Sequence, residues 1–142
     1  MTSVKDDSVG EPHVLQLLDP VLQHFRDLVA GEDWRGLRAS HFRMMSAVPA
    51  RGITITELAD RVGMTKQAIG QFVTTLVDSG HLVTEEDPQD RRLRIVRRTR
   101  RGDEVTQELA HMLDGLEQRW AERVGAKRYG QFRQTMEEIA LS

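Results

Sequence analysis

The sequence predicts a mainly α-helical fold that carries a small β-hairpin, and three observations predict it. Apolar residues recur at three- and four-residue steps over most of the 142-residue chain, which is the spacing of amphipathic helices. Near the centre, two short helical segments are separated only by a turn that contains glycine. Two short runs rich in β-branched residues follow the second of these segments, with turn residues between them.

The composition indicates a soluble, folded protein, with 39% hydrophobic and 30% charged residues. No apolar run approaches the roughly 18 residues that a membrane span needs. The N-terminus lacks the basic and apolar segments of a secretion signal, so we expect a cytoplasmic protein without a membrane partner. The chain has no cysteine, which excludes disulfides, cysteine-ligated zinc and thiol catalysis.

The charge of the chain is unevenly distributed. The whole sequence carries a net charge of -2, which by itself is unfavourable for binding to phosphates. Residues 51–102, however, contain 10 Lys or Arg against 7 Asp or Glu, a net +3, while the rest contains 10 against 15, a net -5. The basic charge is therefore concentrated in one central segment.

The helical periodicity divides the chain into three parts. Residues 1–10 are polar and aperiodic, and we expect a flexible arm there. Residues 11–34 and 103–142 form amphipathic helices, the first of which Pro20 should kink or break. Neither terminal part can bury its apolar stripe alone, so we expect the two parts to form the shared interface of a homodimer.

Residues 35–102 are expected to form a winged helix-turn-helix domain. Thr54 and Glu57 fit a capping box at the start of one short helix, which ends at Gly63, and Thr65 is the expected N-cap of the next. That second helix has an apolar stripe on one face and small or hydrogen-bonding residues on the other. The polar face suits base edges and phosphates, and its candidate DNA-binding residues are Thr65, Lys66, Gln67, Gly70, Gln71 and Thr74. The alternative is a solvated helix face without a ligand.

The hairpin after this helix is rich in arginine. Seven arginines lie on it or just beyond it, in the segment RRLRIVRRTRR. Arginine near a hairpin tip can enter a narrow minor groove, so the wing adds the candidates Asp90, Arg91, Arg92 and Arg94. The alternative is a charged edge strand that resists aggregation.

The segment MTKQAIGQFVTTLVDSGHLV, followed by DPQDRRLRIVRRTRRG, resembles the MarR-type winged-helix regulators. The resemblance implies that Arg92 inserts into the minor groove and that Asp90 holds it in position. It also implies that Thr99 and Gly102 open the next helix, that the terminal helices dimerise, and that the dimer reads palindromic DNA sites. Arg98 departs from the family pattern, which usually has an apolar residue there. This arginine would either disturb the packing or add a phosphate contact.

MarR-like proteins often respond to small phenolic or anionic molecules that bind between the dimerisation helices and the DNA-binding lobe. The candidate residues for such a site are Trp34, His41, Met44, Met45 and His111. Methionine and aromatic residues at helical spacing are also typical of a plain core. His24, His41 and His111 lie on three predicted helices, but their spacing does not indicate convergence, and we assign no metal or cofactor.

The sequence offers little support for an enzyme. It contains no phosphate-binding glycine loop, no HExxH and no Gly-x-Ser-x-Gly motif. A winged helix that makes only protein contacts is a closer rival. The expected function is that of a sequence-specific transcription regulator, a repressor that binds palindromic operators as a homodimer and is released by a small-molecule effector.

Overall fold

The structure is a computed structural model, and it describes residues 10–31, 34 and 36–142. The flexible arm predicted over residues 1–10 lies outside the described residues except for Gly10, which is exposed. The helices and strands run in the order α1 (Val14–Ala30), α2 (Ala39–Ser46), β1 (Ile53–Thr54), α3 (Ile55–Val62), α4 (Lys66–Asp78), β2 (Leu82–Glu86), β3 (Arg94–Arg98), α5 (Arg100–Val124) and α6 (Ala126–Ala140). This confirms the predicted mainly α-helical fold with a small β-wing.

Of the two outcomes predicted at Pro20, a kink or a break, the break does not occur, because α1 continues past this residue. A proline in a helix removes the amide that would bond to the carbonyl four residues earlier. Both Pro20 and Gln16, the residue that carries this carbonyl, are exposed. Because water can satisfy a carbonyl there, the helix continues past the proline.

The sheet has three antiparallel strands in the order β1-β3-β2. Val96 lies at its centre, opposite Ile53 on one side and Thr84 on the other, and it is fully buried. The sequence did not predict β1, because two residues cannot show the alternation that identifies a strand. This strand joins the wing to the start of α3.

The hydrophobic core lies in the helix-turn-helix lobe. Helices α2, α3 and α4, the turn after α2 and the sheet contribute its fully buried side chains, which are Phe42, Met44, Met45, Val48, Leu58, Ile69, Leu76, Leu82 and Val96. In contrast, α1 contributes one buried residue, Val29, and α6 contributes none. The terminal helices therefore extend from the core with much of their apolar surface in solvent.

The wing is attached to α4 and α5 through the backbone of Gly80 and His81. Gly80 has a positive φ of 82°, and the amide of His81 bonds to the Leu76 carbonyl at 2.9 Å, which completes a Schellman end for α4. The Thr99 hydroxyl donates to the Gly80 carbonyl at 2.7 Å. A methyl group on Gly102 would collide with the His81 carbonyl, so α5 can begin here only with glycine at that position.

Candidate nucleic-acid interface

Helix α4 presents the polar face that the sequence predicted. Its N-cap is Thr65, whose hydroxyl oxygen accepts from the Ala68 amide at 3.1 Å. The turn before it contains Gly63, which has a positive φ of 68° and lets α3 end three residues before this cap. Lys66, Gln67, Gln71 and Thr74 are exposed, whereas Ile69, Val73 and Leu76 are buried.

Gly70 and Thr74 lie one turn apart on the polar face. The Thr74 hydroxyl donates to the Gly70 carbonyl at 2.9 Å, so in this rotamer its methyl group and its oxygen lone pairs remain for an outside partner. Outside its own helix backbone, a Cβ added at Gly70 would meet no atom of the described residues within 4 Å. The packing of this protein does not require glycine there.

The wing tip is ordered by its own side chains. The Gln89 amide donates to Asp87 at 2.9 Å, and the backbone closes with the Leu93 amide on the Asp90 carbonyl at 3.0 Å. Arg91 and Arg94 are exposed at the two ends of the returning chain. The tip therefore presents arginines on a short, internally bonded turn.

Asp90 holds Arg92 in a two-pronged ion pair. Arg92 donates through Nε to Oδ1 at 3.0 Å and through Nη2 to Oδ2 at 3.1 Å, and its amide also donates to Oδ1 at 3.1 Å. The hydrogen bonds from Arg92 lower the pKa of the Asp90 carboxyl, and the same pair raises the pKa of Arg92. The Arg92 side chain is 89% exposed, so it is oriented by the protein but open to an outside anion.

The remaining arginines of this segment do not share one role. Arg97 donates to the Arg51 carbonyl at 2.6 Å and to Glu85 at 3.2 Å. Arg98 donates to Asp103 at 2.8 Å and to the Met45 carbonyl at 3.2 Å. Its side chain is only 20% exposed, so Arg98 neither disturbs the packing nor points outward, and it ties β3 to α2 and α5.

A cavity of about 1050 Å³ lies between α1, α2 and the helix-turn-helix. Of the five residues predicted for an effector site, Trp34 and Met44 line it. Met45 is not among the described lining residues. It follows Met44 directly, and one residue along a helix turns the side chain by about 100°, so Met45 packs into another part of the core.

The two predicted histidines are not among the described lining residues of this cavity. His41 packs edge-on against the Phe72 ring at 5.7 Å, and its Nδ1 accepts from the Arg38 amide at 2.8 Å. Burial and, secondly, the charge of Arg38 lower the pKa of His41. His111 is exposed on α5. The structure therefore does not bring either histidine into the cavity wall.

Sequence reasoning missed three arginines on the cavity wall, namely Arg26, Arg38 and Arg43. Arginines that flank an apolar stripe are the only signal for these residues in the sequence, and such a pattern is also typical of solvated helix faces. Trp34 supplies a second polar feature. It is 7% exposed, and its Nε1 has no hydrogen-bond partner among the described residues.

The described residues contain no group of three or more His, Asp or Glu placed to hold a metal ion. His24 Nδ1 accepts instead from Trp120 Nε1 at 3.1 Å. Within the same part of the chain, no helix is both long and apolar enough to cross a membrane.

The terminal helices carry an exposed apolar surface. On α1, Leu15 is 79% exposed, and on α6, Ile139 is 63% exposed. Between these helices and α5 lies a groove of about 350 Å³ that Val21, Trp120 and Phe132 help to line. Single exposed apolar residues are ordinary, but repeated exposed apolar residues on two helices are typical of an interaction surface.

One residue of this groove is held by a charged neighbour. The Tyr129 hydroxyl donates to Glu117 at 2.6 Å, and burial together with this carboxylate raises the pKa of Tyr129 to about 12. Arg133 lies within 3.5 Å of Glu117. The contacts join α5 to α6 beside the groove.

Comparisons with known proteins agree with this geometry. Residues 35–93 match the sequence model of the MarR family, whereas no curated protein matches the chain by sequence. By structure, the chain is similar to MarR, with 23% identity and a TM-score of 0.81 over 92% of this chain and 90% of the other. It is similar to the PcaV transcriptional regulator from Streptomyces coelicolor in complex with its natural ligand, with 22% identity and a TM-score of 0.72 over 100% and 99%.

A third similar structure is a mutant MarR from E. coli complexed with operator DNA, with 18% identity and a TM-score of 0.71 over 87% of this chain and 91% of the other. At these identities the likeness shows a shared fold. The matched segment contains the helix-turn-helix and the wing tip. Through this segment the protein resembles the MarR family of winged-helix regulators, and over most of its length it shares the fold of these solved structures.

Proposed function

We propose that this chain is a cytoplasmic transcription regulator without catalytic activity, which binds double-stranded DNA as a homodimer and represses transcription from palindromic operators. The observation that carries the proposal is the exposed Arg92 guanidinium, which Asp90 orients at the wing tip. An oriented arginine loses less side-chain freedom when it enters a minor groove. The operator complex of a mutant MarR with the same fold supports this assignment.

Base readout is proposed for the polar face of α4. Gln67 and Gln71 are exposed and lie one turn apart, and glutamine can bond bidentately to adenine. Thr65 and Lys66 lie at the N-terminus of the helix, which favours phosphate. Thr74 would offer its methyl group to thymine, and Arg91 and Arg94 would contact phosphates beside the Arg92 site.

DNA binding is tested by fluorescence anisotropy on a random duplex over a salt series. We expect binding at low salt and a steep loss of affinity as the salt concentration rises, because phosphate contacts release counterions. Absence of binding at low salt would contradict the proposal and favour a winged helix that makes only protein contacts.

Sequence specificity is tested by selecting bound duplexes from a random library. We expect a palindromic operator for the wild type, an altered base preference for Gln67→Ala and Gln71→Ala, and weaker binding for Arg92→Ala. Gln107→Ala removes an exposed glutamine from α5 and serves as the control that keeps the wild-type preference. Equal losses on operator and random DNA for Gln67→Ala and Gln71→Ala would contradict base readout.

The homodimer is proposed to form through α1, α5 and α6, the regions that the sequence assigned to residues 11–34 and 103–142. A second copy of the chain would cover the apolar surface at Leu15 and Ile139. Light scattering should show a dimer at micromolar concentration that Ile139→Glu dissociates. Val83→Glu introduces the same charge at an exposed apolar site on the wing and should leave the dimer intact. A strictly monomeric wild type would contradict this part of the proposal.

A small-molecule effector is proposed to bind in the cavity between α1, α2 and the helix-turn-helix. Trp34 and Met44 from the sequence prediction line it, together with the apolar side chains of Leu22 and Phe25. The arginines favour an anion, and the apolar side chains favour an occupant with an apolar body. The complex of PcaV with its natural ligand, on the same fold, supports a ligand-responsive regulator.

A further inference from the structure

Two arginines cross-link α2 and α3 at their C-terminal ends. Arg43 on α2 donates through Nη2 to the Val62 carbonyl, the last residue of α3, at 3.2 Å. In the reverse direction, Arg61 on α3 donates through Nη1 to the Ala47 carbonyl, the C-cap of α2, at 3.1 Å. Carbonyls at a helix C-terminus lack an amide partner in the helix, and a cation there is favourable.

The two cross-links differ in one respect. Arg43 and its acceptor Val62 both line the cavity of about 1050 Å³, whereas Arg61 and Ala47 are not among its described lining residues. Of the two arginines, Arg43 is therefore the one that the described lining includes and that also bonds to the end of α3.

The cavity wall continues into the turn between α3 and α4 and into α4 itself. Val62 is followed by the turn residue Gly63, and Met64 and Phe72, on either side of the Thr65 cap, also line the cavity. A change at the Val62 carbonyl therefore occurs three residues before Thr65, the N-cap of α4.

The described lining residues supply hydrogen-bond donors for an anion. They include Arg26, Arg38 and Arg43 but neither Asp nor Glu. Arg26 is paired with Asp19 at 3.1 Å, while the Arg43 bond is to a neutral carbonyl. A carboxylate is a stronger acceptor for a guanidinium than a neutral carbonyl is, so an anion in the cavity competes with Val62 for Arg43.

We infer that Arg43 is the positioning residue through which the cavity controls DNA binding: an anionic occupant draws its guanidinium away from the Val62 carbonyl and so loosens the helix-turn-helix turn. This inference rests on the proposed effector site. The occupant binds more tightly when Arg43 contacts it. DNA binds more tightly when Arg43 bonds to the Val62 carbonyl and holds the turn in place. That difference in preference is the free energy that couples the two sites.

The test uses benzoate as the probe, since it joins a carboxylate to an apolar ring, and neutral benzamide as its control. Binding of a selected operator duplex is measured by anisotropy for the wild type, Arg43→Met and Arg61→Met. For the wild type we expect benzoate to weaken operator binding about tenfold, a change of 1.4 kcal/mol, and benzamide to have no effect.

The two variants separate the inference from a general loss of cross-linking. Arg43→Met should bind operator more weakly without benzoate and change less than twofold when benzoate is added. Arg61→Met loses the matched cross-link and should keep the tenfold response. Calorimetric titration should show that benzoate binds Arg43→Met about tenfold more weakly than the wild type, with no change for Arg61→Met. If Arg43→Met does not fold, Arg43→Lys retains the charge, and its smaller response to benzoate is measured instead.

Hydrogen exchange provides a readout without DNA. The amides of Gly63 and Met64 bond to carbonyls of α3, and benzoate should speed their exchange in the wild type but not in Arg43→Met.

Three results would overturn the inference. A full benzoate response in Arg43→Met excludes the exchange at Val62, and a lost response in Arg61→Met assigns the effect to cross-linking in general. A wild type that ignores benzoate removes the effector site together with the inference. In that case the selection of an operator from random duplexes still tests DNA binding independently. Failure of the effector proposal can therefore be distinguished from failure of the DNA-binding proposal.

Discussion

Asp90 and Arg92 form two parallel hydrogen bonds, of 3.0 and 3.1 Å, on the exposed tip of the wing. A carboxylate on a surface that is proposed to approach DNA repels phosphate, so its value must lie in what it does to its neighbour. The pair fixes the direction of the guanidinium in advance of binding. These two residues, two positions apart in the sequence, therefore hold an arginine side chain in a fixed orientation at the wing tip.

The first prediction concerns this pair. Arg92→Ala should weaken operator binding about tenfold, about 1.4 kcal/mol, because it removes the guanidinium group. Asp90→Asn should weaken operator binding less, because it frees the guanidinium group from its fixed orientation without removing it. Thermal unfolding should be unchanged in both variants, since both side chains lie at the surface of the turn. A variant that binds as the wild type does would contradict the proposed minor-groove contact.

The same pair predicts a pH dependence. Since Arg92 lowers the pKa of Asp90 below its usual 3.8, the interaction is fully present above pH 3.8 and is lost only as the pH falls through the lowered value. An NMR titration of the Asp90 carboxyl should give a pKa under 3.8 in the wild type. In Arg92→Ala it should return towards 3.8. Equal values in the two proteins would show that the pair is absent in solution.

The second prediction uses Gly70 to separate folding from DNA approach. In the part of the chain that the structure describes, no atom beyond the helix's own backbone lies within 4 Å of a Cβ at this position, and alanine is favoured over glycine in a helix by about 0.5–1 kcal/mol. Gly70→Ala should therefore raise the free energy of unfolding by that amount while weakening operator binding about tenfold, about 1.4 kcal/mol. Denaturant unfolding and anisotropy measure the two effects separately. Wild-type affinity in the stabilised variant would place the groove wall away from Gly70.

Much of this interface was predictable because it depends on local sequence. The stripe of Ile69, Val73 and Leu76 requires only helical periodicity, and it determines which face of α4 is polar. The Asp90 contact to Arg92 spans two residues. In both cases the relevant geometry is contained within one element of structure.

The cavity was predicted only in part because it depends on how separate helices pack. Met44 and Met45 are neighbours in sequence, yet only Met44 lines the cavity. That difference depends on the orientation of α2 against α1 and α3. The role of Arg43 likewise requires the end of α3 to approach α2, 19 residues away in sequence. Periodicity within one segment carries no information about such contacts.

The third prediction concerns Arg98. Its side chain is 20% exposed and donates to Asp103 and to the Met45 carbonyl. Hydrogen bonds that involve a charged group contribute about 1.5–3 kcal/mol, so Arg98→Met, which keeps the aliphatic stem, should lower the free energy of unfolding by about 2 kcal/mol. Urea unfolding measures this loss.

A salt series distinguishes this structural role of Arg98 from a phosphate contact. Loss of one phosphate contact reduces the salt slope of DNA binding by about 1. For Arg98→Met we expect the wild-type slope, because the guanidinium points into the protein. A reduced slope with unchanged stability would reverse the assignment.

The fourth prediction compares two glycines of α5. Gly102→Ala places a methyl group against the His81 carbonyl, so α5 must move away from the wing, and we expect a loss of about 3 kcal/mol, in the range of severe core substitutions. At Gly115 the one contact that a Cβ would make among the described residues is with the far end of the flexible Arg119 side chain, at 4.0 Å. Gly115→Ala should therefore stabilise the protein by about 0.5–1 kcal/mol. Because both substitutions add one methyl group to the same helix, opposite signs in denaturant unfolding isolate the contact at His81, and equal effects would exclude it.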